Sequence, residues 1–272
     1  MQSKKTTRKG TPGSQGVGPG RTRAEAPRPE LERVFGLAAA RAVLAQRPDD
    51  VRQIAHAPDA RQAIAELLRE AAKRRIAYRE VPREELERIA GSLHHEGVCM
   101  QVNPRRAPSV SELAKALAPK RFVLALDGVD NPHNIGALLR TAGFFGAQAM
   151  LVSKERETRL SSAAVRVAEG AAELVPVCFV QELAEPLDRL RAEGAHIVGA
   201  DAHAGKSHAA LAWPEKTVLV LGSERLGLTA PVKKRCHEFV HIQGAQGVES
   251  LNVSVAAGIL MATLSSRMRS QR

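Results

Sequence analysis

Aromatic residues make up only 3% of this 272-residue chain, with one Trp, one Tyr and six Phe. Stacking of bases on rings is therefore excluded as the main grip on any single-stranded nucleic acid. The hydrophobic fraction is nonetheless 44%, so a sizeable core is available and it must be aliphatic. Cysteine is scarce and odd in number. Cys99, Cys178 and Cys236 lie far apart, which rules out a disulfide framework and a CxxC metal site and fits a reducing compartment. No apolar run reaches the ~20 residues of a membrane span. The N-terminus is basic but lacks the apolar core of a secretory signal, so the expected location is cytoplasmic. Acid is also in deficit, with 29 Asp and Glu against 40 Lys and Arg, a net charge of +11. Such an imbalance points to an anionic partner, nucleic acid first and acidic membrane second, gripped through phosphate contacts.

Residues 1–31 hold Lys4, Lys5, Arg8, Lys9, Arg21, Arg23 and Arg28 among Gly, Pro, Ser and Thr. With too little apolar content to fold, this stretch reads as a basic arm. From 32 to 103 the pattern alternates. It predicts helices over Leu37–Leu44, Arg61–Arg74 and Pro82–Ile89 and strands over Val51–His56, Ile76–Tyr78 and Val98–Val102, a small α/β unit. Residues 104–119 carry Pro104, Pro108 and Pro119 around a short amphipathic piece, Val110–Leu117, and read as a linker. From 120 to 272 near-continuous apolar strands alternate with helices. Strands are expected at Phe122–Leu126, Ala149–Val152, Val175–Phe179, His196–Ala200, Thr217–Leu221 and Phe239–Ile242. Helices are expected at Asn134–Phe145, Ser161–Glu173, Gln181–Ala192 and Pro231–Cys236, with an all-apolar buried helix last. The expected class is α/β with a parallel sheet covered on both faces.

Ligands of such sheets sit beyond the carboxyl ends of the strands, and three strand ends are chemically rich. After Leu126 the loop holds Asp127, Asp130, Asn131, His133 and Asn134. Gly136 lies inside the following helix at a cost of ~1 kcal/mol, a sign of close approach by a backbone or ligand. Arg140 lies six residues past Asn134, just under two turns, so spacing alone does not put the two on one face. After Val220 comes Leu221-Gly-Ser-Glu-Arg-Leu-Gly227, where glycines let backbone approach a ligand. After Ile242, Glu249, Ser250 and Asn252 crowd the entrance of the last helix, whose free N–H groups suit a binding site. The sequence Ala204-Gly-Lys-Ser207 imitates the end of a phosphate-binding P-loop. The glycine required five residues before Gly205 is missing, because position 200 is Ala, and an NTPase is rejected. A dinucleotide fingerprint is absent as well.

Together these segments resemble the three motifs of the SpoU/TrmH family of RNA ribose 2′-O-methyltransferases, in the SPOUT superfamily. Asn131-Pro-His-Asn-Ile-Gly with Arg140 is similar to motif 1, Leu221-Gly-Ser-Glu with Gly227-Leu to motif 2, and Ile242 with Ser250-Leu-Asn-Val-Ser-Val-Ala256 to motif 3. The match covers about residues 120–267. The unit before it is similar to the substrate-binding domain that often precedes this catalytic domain and resembles kink-turn-binding ribosomal proteins. One departure stands in motif 3: many members carry Ile-Pro-Met where this chain has Ile242-Gln-Gly-Ala-Gln246.

The resemblance implies a C-terminal trefoil knot, a homodimer and S-adenosyl-L-methionine as cofactor. It implies RNA, rRNA or tRNA, as the partner, with no membrane. Leu221, Gly222, Ser223, Gly227, Ile242 and Leu251 are the implied cofactor contacts. Arg140, Asn134, Glu224, Ser250 and Asn252 are the implied catalytic set. Because arginine stays protonated, Arg140 suits phosphate binding or alkoxide stabilisation better than general-base work. No metal is required, and His203, His208, His237 and His241 read as structural or solvent-facing. The alternative reading is a non-catalytic RNA-binding ribosome-assembly factor on the same fold.

Overall fold

A strand that the sequence pattern does not announce, β1 (Glu32–Phe35), opens the folded part of the chain. In this computed structural model residues 31–154, 157–245 and 250–270 are described. The basic arm up to residue 30 therefore lies outside them, as do residues 246–249 of the third motif, including Glu249. After β1 come α1 (Leu37–Gln46), β2 (Val51–His56), α2 (Ala65–Lys73), β3 (Ala77–Glu80), α3 (Arg83–Ala90) and β4 (Val98–Val102). They form a four-stranded sheet in the order β1-β4-β2-β3, with only the β2–β3 pair parallel. The helix expected from Arg61 starts only at Ala65, because Pro58 first sets a 3₁₀ turn over Pro58–Ala60. Helix α3 ends at Gly91, whose φ of 69° is the left-handed cap that glycine permits.

The stretch read as a linker carries α4 (Val110–Ala116). Ser109 and Glu112 cap it reciprocally, each side chain accepting from the other's backbone N–H at 3.2 and 2.8 Å. Its Leu113 and Ala114, with Leu117, are buried against Val123, Ala125, Val218 and Val220, so this helix packs on the second sheet.

That sheet contains β5 (Arg121–Asp127), β6 (Ala149–Ser153), β7 (Val177–Val180), β8 (His196–Ala200), β9 (Lys216–Gly222) and β10 (Glu238–Val240). Interleaved are α5 (Pro132–Phe145), α6 (Ser162–Val167), α7 (Ala184–Ala192), α8 (Ala230–Lys233) and α9 (Val253–Ser270). Among the described residues the order is β10-β8-β9-β5-β6-β7, and every pairing is parallel. Alternation along β5 explains why it is apolar throughout. Phe122, Leu124 and Leu126 enter the core on one face, and Val123 and Ala125 enter the core on the other. Each buried Phe, Leu or Val of this strand contributes ~1.5–3 kcal/mol. Among the described residues no helix is long and apolar enough to cross a membrane.

Two expectations are corrected. The helix expected over Ser161–Glu173 is broken: α6 stops at Val167 and a 3₁₀ turn, Ala171–Glu173, follows. Glu169 and Gly170 between them adopt φ of 45° and 89°. Gly170 lies against α1, where an added Cβ would come 2.8 Å from the Ala42 Cβ and 3.3 Å from the Ala38 carbonyl oxygen. The second correction concerns α9, which is not buried all round. Val253, Ala257, Leu260, Met261 and Leu264 face the core, whereas Val255 on the other side is 51% exposed.

Charged residues tie the two sheets together. Glu173 accepts from Arg47 Nε at 2.7 Å and from Arg105 Nε at 2.9 Å, and Glu32 receives the same two arginines at 3.4 and 3.5 Å. Burial alone would lower the Arg47 pKa, but the hydrogen bond and charge of Glu173, helped by Glu32 and Asp50, raise it.

Candidate active site

Strands β5 and β9 lie side by side with Asp127 opposite Gly222, so the first two chemically rich loops leave the sheet together. The sheet runs outward from β5 through β6 to β7 and, on the other side, from β9 through β8 to β10. The crevice at β5–β9 is thus the switch point at which open parallel sheets bind ligands. Asp127, buried at the end of β5, accepts from the Thr229 N–H at 2.7 Å and pins the exit of the β9 loop. Asn131 caps α5 by accepting from His133 N–H at 2.9 Å.

The β9 loop folds back on itself. Gly227 donates to the Ser223 carbonyl at 2.9 Å, Leu226 donates to the Ser223 hydroxyl at 3.2 Å, and Gly227 takes φ of 64°. Gly222 is obligatory for that fold, since a Cβ there would strike the Gly227 carbonyl. Leu221 is buried beneath the loop, while Glu224 and Leu226 project to solvent, Leu226 with 86% of its surface exposed.

Glu224 gathers the three motifs. Its Oε1 accepts from Asn252 Nδ2 at 2.6 Å, from the Val253 backbone N–H at 3.1 Å and from Asn134 Nδ2 at 3.4 Å. The Val253 N–H is one of the orphan donors at the start of α9. Asn252 uses its remaining oxygen to accept from Ser254 N–H at 2.9 Å, which closes the cap. The structure therefore brings Asn134, Glu224 and Asn252 into one cluster beside Leu221, Gly222, Ser223 and Gly227. Ile242 is half-buried and packs on the core, while Ser250 and Leu251 are exposed just before Asn252.

Arg140 stands apart. It is about 9 Å along α5 from Asn134, and its Nη1 pairs with Glu169 Oε1 at 2.8 Å.

Residues 121–262 match the SpoU rRNA Methylase family, and residues 33–108 match RNA 2'-O ribose methyltransferase substrate binding. The chain belongs to the SpoU rRNA methylase family. It is 36% identical to 23S rRNA (guanosine-2'-O-)-methyltransferase RlmB of Pseudomonas aeruginosa, over 85% of this chain and 95% of that protein. With the protein of the same name from Nitrosomonas europaea the identity is 35%, over 84% and 88%. Among solved structures, the SpoU methyltransferase AviRb from Streptomyces viridochromogenes has the same fold, with TM-score 0.75 and 20% identity over 89% of this chain and 91% of that one.

Within this SpoU fold, Gly136 has a packing role. A Cβ there would come 2.7 Å from the Ala164 carbonyl, so the glycine lets α5 and α6 meet. His208 is half-buried and His237 exposed, and both make structural contacts. His208 Nδ1 contacts Thr263 Oγ1 at 3.1 Å, and His237 Nδ1 accepts from Ile197 N–H at 3.0 Å and stacks on His196. Burial is the main cause that lowers the pKa of both. The residue that sequence reasoning passed over is Glu169. Its signal was present in Glu169-Gly170, a helix-stop pair, but helical periodicity continues through it from Ser161.

Proposed function

We propose that this protein transfers a methyl group from S-adenosyl-L-methionine to a ribose 2′-hydroxyl of ribosomal RNA, and specifically to a guanosine of 23S rRNA. The observation that carries the reading is Glu224, which draws all three motif segments onto one carboxylate oxygen at the switch point. The RlmB relatives, alike over nearly their whole length, support the substrate class.

The residues present fit the cofactor. Leu226 and Leu251 offer apolar surface that the fold leaves uncovered, suited to adenine and methionine carbons. The loop at 222–227, free of side-chain bulk at both glycines, offers backbone groups for hydrogen bonds. Leu221, Gly222, Ser223, Gly227, Ile242 and Leu251 are the residues we assign to holding it. When bound, the cofactor supplies an electrophilic methyl group. A ribose hydroxyl is a weak nucleophile and must be oriented and relieved of its proton. Arg140 carries five N–H donors and has one nitrogen engaged with Glu169, so donors remain to bind an RNA phosphate or the developing alkoxide. A charged hydrogen bond of that kind contributes ~1.5–3 kcal/mol. Asn134, Glu224, Ser250 and Asn252 hold the surrounding loops and ribose.

The small first sheet, residues 32–103, is assigned to RNA binding, with the catalytic unit spanning 120–272. Two further features belong to the same proposal. Strand β10 is at the sheet edge, while α9, whose first N–H meets Glu224, packs on α5, a placement that supports the reading of a C-terminal trefoil knot. Phe144 of α5 and Val255 of α9 are 80% and 51% exposed, apolar surface that supports the reading of a homodimer. The cytoplasm is the location that belongs to this reading, supported by the free thiols and by an rRNA substrate.

Incubation with methyl-labelled cofactor and 23S rRNA, followed by mapping of ribose methylation, tests the proposal. Label at one guanosine 2′-oxygen is expected. Tight RNA binding without label would instead identify an assembly factor.

A further inference from the structure

Glu169 is unusual in three ways at once. It is a non-glycine residue at φ of 45°, it is followed by Gly170 at 89°, and its carboxylate holds Arg140 at 2.8 Å. The backbone that presents it is seated on the first sheet's unit, because Gly170 lies on Ala38 and Ala42 of α1 with no room for a Cβ. The next turn is fixed to the same unit by Arg47, which Glu173 takes together with Arg105 of the following segment. A continuous line of contact therefore runs from α1 through Gly170 and Glu169 to the guanidinium of Arg140.

We propose that Glu169 is a positioning residue for Arg140, and that the substrate-binding unit sets the aim of the reacting arginine through it. This rests on the methyltransferase reading above. An exposed arginine samples many rotamers, and holding it in one is a matter of orientation that acts on the rate of reaction rather than on RNA affinity. A carboxylate 2.8 Å from Nη1 restrains the planar guanidinium at one end and leaves its other nitrogens for a ligand. The pair is a little over half exposed on both sides, 57% and 51%, so it is weak in stability terms and its removal leaves the fold intact. Glu169 also contributes a negative charge beside the place where a phosphate must arrive. Removing it is therefore expected to leave RNA binding equal or tighter, the opposite of what a lost contact to RNA would do.

The test compares full-length wild type, Glu169→Ala, Glu169→Gln and Arg140→Ala in single-turnover methylation of 23S rRNA, with RNA and cofactor affinities and melting temperature measured alongside. The expected result is a fall of about tenfold in the methylation rate for Glu169→Ala, with RNA affinity unchanged or increased and cofactor affinity unchanged. Glu169→Gln, which keeps an oxygen acceptor at the same reach, is expected to recover most of the rate. A Glu169→Ala rate within twofold of wild type overturns the proposal, as does an equal loss in Glu169→Ala and Glu169→Gln accompanied by a lowered melting temperature. If Arg140→Ala itself methylates normally, the assignment of the reacting arginine fails instead, which is a separate outcome.

Discussion

Asn252 donates its amide to Oε1 of Glu224 across 2.6 Å, and through this bond the first residue before the last helix is fixed to the loop after β9. The two are 28 residues apart, and residues 246–249 between them belong to the third motif. Replacing Asn252 by Asp keeps the shape but sets a second carboxylate against the first. We expect Asn252→Asp to weaken cofactor binding by at least tenfold, about 1.4 kcal/mol or more, by like-charge repulsion and loss of the donor. Calorimetric titration of the cofactor checks this. Wild-type affinity in the variant would remove Glu224–Asn252 from the binding machinery.

Gly222 and Gly205 form a matched pair for testing the tight loop. A Cβ at 222 meets the Gly227 carbonyl, whereas at 205 nothing lies within 4 Å. Gly222→Ala is therefore expected to cost ~1–3 kcal/mol and to abolish measurable cofactor binding. Gly205→Ala, at an exposed position in the sequence that imitates a P-loop, should fall within about 0.5 kcal/mol of wild type and remain fully active. Urea melts and methylation assays on both variants decide the matter.

Glu173 is the acidic centre of the joint between the two sheets, with only 4% of its side chain exposed. Glu173→Ala leaves Arg47 and Arg105 without their shortest carboxylate partner. A loss of about 3 kcal/mol is expected, because the remaining charges stay partly buried and uncompensated. Glu173→Gln should recover part of it, since a neutral oxygen still accepts. Denaturant unfolding monitored by fluorescence of Trp213, which is buried in the core of the second sheet, measures both.

Much of the fold is legible in the sequence, and what is not has a physical reason. The apolar runs at Phe122–Leu126 and Thr217–Leu221 declare buried parallel strands, because both faces of such strands meet helices. Strand β1 is silent, since four residues with Glu32 and Arg33 at their start show no periodicity. The break at Glu169-Gly170 is set by contact with α1, a tertiary cause that no window around residue 170 contains. In the site, the cluster of Asn134, Glu224 and Asn252 follows from strand ends that the residue types mark out in advance. The partner of Arg140 does not follow, because it comes from a turn whose shape depends on the other unit. The apolar run of α9 signals burial correctly on one face only. On the other, Val255 is exposed, so the apolar pattern there does not report on this chain's own core.

All three cysteines are held above their ordinary pKa of about 9, each raised to about 11 with burial as the first cause. Neighbouring Glu112 adds to the rise at Cys178, as Asp127 does at Cys236. A rise of this direction keeps the protonated, unreactive thiol at pH 8 and cuts the thiolate fraction roughly a hundredfold. Native protein at pH 8 should therefore resist iodoacetamide, with alkylation at least about tenfold slower than in denaturant. Mass spectrometry of the alkylated chain gives the rates site by site. Rapid native labelling of Cys236, the most exposed of the three, would contradict the burial argument there first.

The basic arm makes a prediction through salt alone. Lys4, Lys5, Arg8, Lys9, Arg21, Arg23 and Arg28 precede the folded units in a stretch without the apolar residues needed for a core. Each phosphate they neutralise releases condensed counterions, worth a slope of about 0.7–0.9 in the logarithm of affinity against the logarithm of salt. Deleting residues 1–30 should lower rRNA affinity at low salt and flatten that slope by about two or more. The catalytic rate at saturating RNA should stay within twofold of the full chain, because no residue of the proposed site lies in the arm. Filter binding across a salt series measures the slope, and single-turnover methylation at saturation measures the rate. An unchanged slope would mean that the arm's charges stay solvated in the complex, and that the phosphate grip resides in the two folded units.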